Sequence, residues 1–265
     1  MTVEHQSGEQ PMDSDEALAQ IRGWFTTRLG KHVLNAEKAI LEQLLPGFFG
    51  YDLLQVSVQN TPLFDASPVR HRYAMSLVQD DPNDFRANAT CLPFQDDSLD
   101  VVLLHHLLDF FQSPHKLLRE AARVALPMGH LVIIGFNPVS LWGAYQPVGR
   151  LRQQAPWFGD FIRPGRLMDW LNVLNFKIDR AQYTTYGLPL AGYSGKIPDY
   201  SHGLSRNANL PFGAVYVIVA RKQVGTITPI KPRWHQNRAF GRLSVVPPMA
   251  NGASRNNRNK DTGED

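Results

Sequence analysis

Residues 99–136 contain the pattern that most restricts the fold of this chain, two almost continuous apolar runs separated by a stretch with helical periodicity. The first run, Leu99 to Leu104, and the second, His130 to Phe136, are predicted to be strands buried on both faces. Between them, apolar residues recur at helical spacing from Leu117 to Leu126, after Ser113-Pro114. A strand, helix and strand in this order form a βαβ unit, which makes the two strands parallel.

Further elements on both sides extend this unit into an α/β domain. Helical periodicity over residues 14–47 predicts two helices or one kinked helix. Gly129 is predicted to cap the helix that precedes the second buried strand. The other predicted elements are a strand at 52–58, a weaker strand at 72–78, a long loop over 137–164, a helix at 165–174, and strands at 176–183 and 213–222.

Composition excludes several classes of protein. Of the 265 residues, 43% are hydrophobic and 19% are charged, as in a globular chain with one core. No apolar run of about 18 residues is present, so we expect no membrane contact. A single cysteine, Cys91, cannot form an internal disulfide or a cysteine-based zinc site. We therefore expect a cytoplasmic protein.

Charge is distributed unevenly along the chain. Residues 226–265 have a net charge of +4, whereas the preceding residues have a net charge of −1. We predict a disordered leader at 1–13, a folded domain at 14–225 and a disordered basic tail at 226–265. Any nucleic acid or other polyanion would then be bound by the tail and not by the folded domain.

Residues 92–133 contain a more specific pattern. It comprises Leu-Pro-Phe at 92–94, an acidic turn before the first buried strand, His105-His106 after that strand, and Pro-Met-Gly at 127–129. This segment resembles the class I S-adenosylmethionine-dependent methyltransferases, in particular their type 11 group. The resemblance implies S-adenosylmethionine as cofactor and a small or medium-sized acceptor. It also implies a Rossmann-like fold of three α/β/α layers, with a mostly parallel central sheet and an antiparallel terminal strand at 214–222.

The resemblance places the cofactor at the carboxyl ends of the parallel strands, at the point where the strand order reverses. Side chains replace the glycines that this family has after its first strand, so they either line a modified groove or fill a vestigial one. Asn88 either accepts a hydrogen bond from the adenine amino group or is a turn residue. Asp80 and Asp81 are the acids nearest to the family's ribose-binding position, and the alternative is that they only form a turn. The cofactor-binding residues implied by the resemblance are Gln55, Ser57, Gln59, Asn88, Ala89 and His105.

His106 is the candidate catalytic residue, because a neutral imidazole can take a proton from an attacking oxygen or nitrogen. The alternative is a histidine whose ring serves only local structure. No metal site is expected, because His105, His106 and His115 lack a clustered carboxylate or thiolate. Aromatic side chains over 142–170 either line an acceptor pocket or pack the insertion. Glu120 and its arginine neighbours are predicted to form a solvated helical face.

The stretch between Ser57 and Asn88 supports an alternative function. It spans 31 positions, whereas a helix, strand, helix and strand need on the order of 40 to 50 residues. Together with the substituted glycine positions, this favours a non-catalytic pseudo-methyltransferase that acts through protein association as the second hypothesis.

Overall fold

The structure is a computed structural model that describes residues 15–77, 85–152, 154–187, 189 and 209–224. The predicted leader, the predicted basic tail, Asp80 and Asp81 lie outside these residues, so the domain limits and the polyanion hypothesis stay predictions. Within this part of the chain, none of the helices has both the length and the hydrophobicity of a membrane span.

The described chain alternates helices and strands. The helices are α1 (Asp15–Thr26), α2 (Arg28–Leu44), α3 (Leu107–Phe110), α4 (Pro114–Val124), α5 (Leu141–Leu151) and α6 (Pro164–Val173). The strands are β1 (Asp52–Ser57), β2 (His71–Ser76), β3 (Phe85–Arg86), β4 (Leu99–His105), β5 (Ala125–Phe136), β6 (Phe176–Thr184) and β7 (Val215–Lys222). Residues 14–47, predicted as two helices or one kinked helix, contain the two helices α1 and α2.

The seven strands of the described residues form one sheet in the order β3-β2-β1-β4-β5-β7-β6. The first five strands in this order, β3, β2, β1, β4 and β5, pair in parallel, and β7 is antiparallel to both β5 and β6. Helices flank the sheet, so the predicted Rossmann-like fold with an antiparallel terminal strand is confirmed. The order reverses between β1 and β4, which makes the carboxyl ends of these two strands the expected binding edge.

The chain passes from α4 to β5 earlier than the sequence predicts. Helix α4 ends at Val124, and Ala125 already has extended backbone and pairs with Leu99. Gly129 therefore lies inside β5 and does not cap the helix, which corrects the sequence prediction. A Cβ at position 129 would lie 2.8 Å from the carbonyl oxygen of Leu126, so glycine permits a close backbone approach there.

The segment 137–164, predicted as a loop, contains helix α5. Its sequence hides the helix because Gly143, Pro147 and Gly149 all have low helix propensity. Close packing explains both glycines. A Cβ at Gly143 would lie 2.0 Å from the carbonyl oxygen of Pro138, and one at Gly149 would lie 2.2 Å from the Trp157 ring.

Candidate functional site

The carboxyl ends of β1 and β4 meet at the edge where the strand order reverses. Ser57 pairs with His105 in the sheet register, and the Val58 backbone N–H donates to the His105 carbonyl at 3.3 Å. Beyond β1, residues 58–70 run to β2 without a helix. This missing helix accounts for much of the short spacing between Ser57 and Asn88.

Side-chain amides shape the turn that follows β1. Gln59 donates from Nε2 to the Thr61 carbonyl at 2.7 Å, and its Oε1 accepts from the Thr61 N–H. Gln55 donates to the same carbonyl at 3.1 Å and accepts from the Leu63 N–H at 2.8 Å. Gln55, Ser57 and Gln59 are all buried. These side chains thus bond to the protein's own backbone and fix a turn that contains no glycine.

Asn60, within the same turn, has an unsatisfied polar atom. Its side-chain oxygen Oδ1 is enclosed and has no hydrogen-bond partner among the described residues. A buried acceptor without a partner is unfavourable by about 1–3 kcal/mol, so such atoms often mark a bound ligand or water. No sequence pattern singles out Asn60, because an asparagine in a turn is ordinary.

A network of four buried ionisable side chains occupies the end of β4. Glu37 on α2 contacts both histidines, with Oε2 at 3.0 Å from His105 Nε2 and Oε1 at 2.7 Å from His106 Nε2. His105 Nδ1 lies 2.8 Å from the Ser57 hydroxyl, and His106 Nδ1 lies 2.9 Å from Asp109 Oδ2. None of the side chains of Glu37, His105, His106 and Asp109 is exposed.

Local structure positions these groups. His106 has a φ of 51°, in the left-handed region, and its N–H donates to the Ile134 carbonyl at 2.9 Å. Asp109 lies on the short helix α3 and accepts from the Phe136 N–H at 2.9 Å. Glu37 occupies a core position in the buried stripe of α2, between Val33 and Leu41. A glutamate in an apolar stripe was the sequence signal for this network, and the sequence interpretation missed it.

Burial and charge determine the protonation of the network. Burial disfavours the imidazolium of His106, but the Glu37 carboxylate and the hydrogen bonds to Asp109 and Glu37 outweigh it and raise the pKa of His106 to about 9. Burial lowers the pKa of His105. Although burial opposes its ionisation, the charges of both histidines lower the pKa of Glu37 to about 2. At neutral pH the favoured state is therefore a Glu37–His106 ion pair beside a neutral His105.

The predicted site residues divide into two groups. The structure brings Gln55, Ser57, Gln59 and His105 together, as described above. Asn88 lies in a separate loop after β3, where it is exposed and its Oδ1 accepts from the Thr90 N–H and hydroxyl, both at 2.8 Å. The neighbouring Ala89 is buried. The catalytic role of His106 stays a prediction, and its raised pKa differs from the neutral imidazole that the sequence suggested.

Two further expectations concern residues outside the buried network. Trp142 is buried and donates from its indole to the Gly187 carbonyl at 3.1 Å, so it packs the insertion. Glu120 is not simply part of a solvated face. Its Oε1 accepts from the Leu92 N–H at 2.7 Å and from Arg123 at 2.6 Å, which ties α4 to the loop before β4.

Known proteins are similar to this chain in sequence and in fold. Residues 49–133 match the family model described as a methyltransferase domain. The uncharacterized protein YafS of Escherichia coli (strain K12) is 37% identical over 201 residues, which cover 73% of this chain and 80% of that protein.

Solved structures agree in fold. An S-adenosylmethionine-dependent methyltransferase from Thermotoga maritima superposes with a TM-score of 0.55 at 19% identity, covering 76% of this chain and 93% of that one. One from Mesorhizobium loti gives a TM-score of 0.50 at 14% identity, covering 71% of this chain and 98% of that one. At these identities the likeness concerns the fold.

Proposed function

The chain belongs to the class I S-adenosylmethionine-dependent methyltransferases, and on that basis we propose that it transfers a methyl group to a small or medium-sized acceptor molecule. Its cofactor is S-adenosylmethionine. The observation that carries the proposal is the enclosed, unpartnered Asn60 Oδ1 at the carboxyl end of β1. It lies beside the strand-order reversal, where ligands of open α/β sheets bind.

The turn after β1 fits the cofactor through a changed set of groups. In this family, glycine backbone approaches the cofactor, whereas here Ser57 and Gln59 occupy two of those positions. Their side chains bond to neighbouring protein atoms, so they do not require a ligand. Asn60 Oδ1 has no such partner, and an amide oxygen accepts a hydrogen bond from a hydroxyl or an ammonium group. We assign Asn60 to the ribose or amino-acid part of the cofactor.

Asn88 supplies a different group from the one first expected. Its Oδ1 already accepts two hydrogen bonds, whereas its Nδ2 has no partner within the described part of the chain. In the proposed complex, Asn88 therefore donates to a ring nitrogen of adenine. Its exposure leaves it accessible to a ligand at the edge of the sheet.

The chemistry makes modest demands on the protein. When bound, S-adenosylmethionine supplies an electrophilic methyl group on a sulfonium. The chain's own contribution is to align the acceptor with that group and to exclude water. Both ring nitrogens of His106 are bonded to carboxylates, so a role as proton acceptor would first require one carboxylate to release the ring.

We assign acceptor selection to residues 137–164, which follow β5 at the same end of the sheet. Tyr145 and Phe158 in this segment are half-buried, so part of each ring remains available to an acceptor. Aromatic rings supply apolar contact area, which suits a small organic molecule.

A cytoplasmic location, expected from the single cysteine, belongs to the same proposal.

Methyl transfer is tested with S-adenosylmethionine labelled in its methyl group and a cell extract separated into small molecules, protein and nucleic acid. The proposal predicts enzyme-dependent label in the small-molecule fraction. Asn60→Ala should reduce the rate at limiting cofactor, whereas Asn35→Ala, at an exposed position on α2, should not. Label confined to macromolecules would contradict the acceptor class. No transfer by protein that binds the cofactor would favour the non-catalytic alternative.

A further inference from the structure

The buried network contains the donor set of a metal site. Glu37, His105 and His106 each offer one ligand atom, and these atoms lie within 4.8 Å of one another. Two imidazoles and a carboxylate bind first-row transition metals such as zinc and iron. We propose that these three residues bind one divalent transition-metal ion, with Zn²⁺ and Fe²⁺ as the ions that the donor set fits.

The observed distances are close to those that a metal requires. The contacts from Glu37 are 3.0 Å to His105 Nε2 and 2.7 Å to His106 Nε2. With metal–ligand bonds of about 2.1 Å, neighbouring ligand atoms lie about 3.0–3.4 Å apart. The two contacts made by the Glu37 carboxylate are thus within a few tenths of an ångström of this range, and the ligand atoms of all three residues lie within 4.8 Å of one another.

The outer nitrogens of the two histidines provide an independent argument. Each Nδ1 has its own partner, the Ser57 hydroxyl for His105 at 2.8 Å and Asp109 for His106 at 2.9 Å. Asp109 is itself held by the Phe136 N–H. Histidines that ligate metals have this kind of partner, which fixes the ring and directs the other nitrogen at the ion. Here both Nε2 atoms are directed at the same carboxylate.

The surroundings favour a structural ion rather than an exposed reactive one. The Phe25 ring lies 5.4 Å from the His105 ring and 5.7 Å from the His106 ring, and Phe136 lies 4.1 Å from His106. An ion there would join α2 to the end of β4 in a water-poor environment. This proposal does not depend on methyl transfer, because the ligands differ from Asn60 and Asn88.

Metal binding is tested on the full chain after treatment with a chelator. Zn²⁺ is titrated against a competing chromophoric chelator, and Co²⁺ is added separately as a spectroscopic probe. We expect one equivalent of Zn²⁺ to bind, a rise in melting temperature, and visible d–d bands from bound Co²⁺. Fe²⁺, added without oxygen, should compete with Zn²⁺ for the same equivalent.

Variants locate the site. Glu37→Gln should remove the Co²⁺ bands, and Asp109→Asn should weaken Zn²⁺ binding by about 10- to 100-fold. His71→Gln is the matched control, because His71 forms an exposed pair with Asp52 at 3.2 Å and should leave binding unchanged. If Glu37→Gln does not fold, the proposal is tested by the Zn²⁺ titration of the wild-type protein and by the weaker Zn²⁺ binding expected of Asp109→Asn. Folded wild-type protein that binds none of the three ions, or unchanged binding in folded Glu37→Gln, would overturn the proposal.

Discussion

Replacing Glu37 by glutamine tests how much the buried network contributes to folding. The substitution preserves size but removes the carboxylate between two imidazoles, at 3.0 and 2.7 Å. None of the Glu37 side chain is exposed, so water cannot replace the lost charge. The comparison is made in the presence of a chelator, so that any bound metal does not contribute.

Two limits set the expected magnitude. If His106 stays charged, removing its partner leaves an uncompensated buried cation, which destabilises the fold by about 3–5 kcal/mol. If the ring releases its proton instead, the remaining loss is that of a buried hydrogen bond, about 1–3 kcal/mol. We therefore expect Glu37→Gln to reduce the free energy of unfolding by about 3 kcal/mol, a large part of the 5–15 kcal/mol that is usual for a domain.

Urea unfolding followed by tryptophan fluorescence measures this loss, since Trp24 and Trp142 are both buried. Glu42→Gln is the matched control, because Glu42 is exposed on the same helix and its loss should change stability by less than about 0.5 kcal/mol. Equal stability of Glu37→Gln and Glu42→Gln would refute the reasoning that the network is a buried, mutually dependent ion cluster.

Three further predictions concern the scaffold. Hydrogen bonding from Arg123 lowers the pKa of Glu120 below 4.5, so its stabilisation is complete above about pH 4.5 and is lost as pH falls through the folded-state pKa. Urea midpoints measured against pH should show a smaller acid loss in Arg123→Met. Gly30→Ala should reduce the free energy of unfolding by about 1–3 kcal/mol and so lower the melting temperature, because its Cβ would lie 2.2 Å from the Trp24 carbonyl oxygen. Asp100→Ala should reduce the free energy of unfolding by about 1–2 kcal/mol and so lower the urea midpoint, because Asp100 accepts hydrogen bonds from two backbone N–H groups at the start of β1.

Each of these predictions has a matched control or a contrary result. Gly23→Ala should be neutral or stabilising, because nothing lies within 4 Å of a Cβ there. A Gly30→Ala variant as stable as Gly23→Ala would contradict the close approach of Gly30 to the Trp24 carbonyl. An identical acid loss in Arg123→Met and wild type would contradict the role of the Glu120 pair. An unchanged urea midpoint in Asp100→Ala would contradict its role at β1.

The sheet could be predicted because its central strands are buried on both faces. Continuous apolar runs identified β4 and β5, and the resemblance predicted an antiparallel β7, which the register confirms. Helix α5 was missed because tertiary packing, not propensity, explains its glycines. Gly149 allows the Trp157 ring to approach, and no local pattern shows that contact.

The site could be predicted only in part, because its key partner is distant in sequence. His105 and Ser57 were selected through the family resemblance, and they do form a hydrogen bond. Glu37 is 68 residues from His105, so spacing along the chain could not connect them. Its position within the apolar stripe of α2 was the available signal. The expectation of no metal site rested on spacing along the chain, and spacing could not bring the Glu37 carboxylate to the two histidines.

Isothermal titration of the full chain with S-adenosylmethionine tests the central claim, that the edge between β1 and β4 holds this cofactor. The account predicts binding of one equivalent. Asn60→Ala should weaken it by about tenfold, the value of roughly one hydrogen bond, with Asn35→Ala unchanged. No heat of binding at high protein concentration, for either the cofactor or its demethylated product, would contradict the claim.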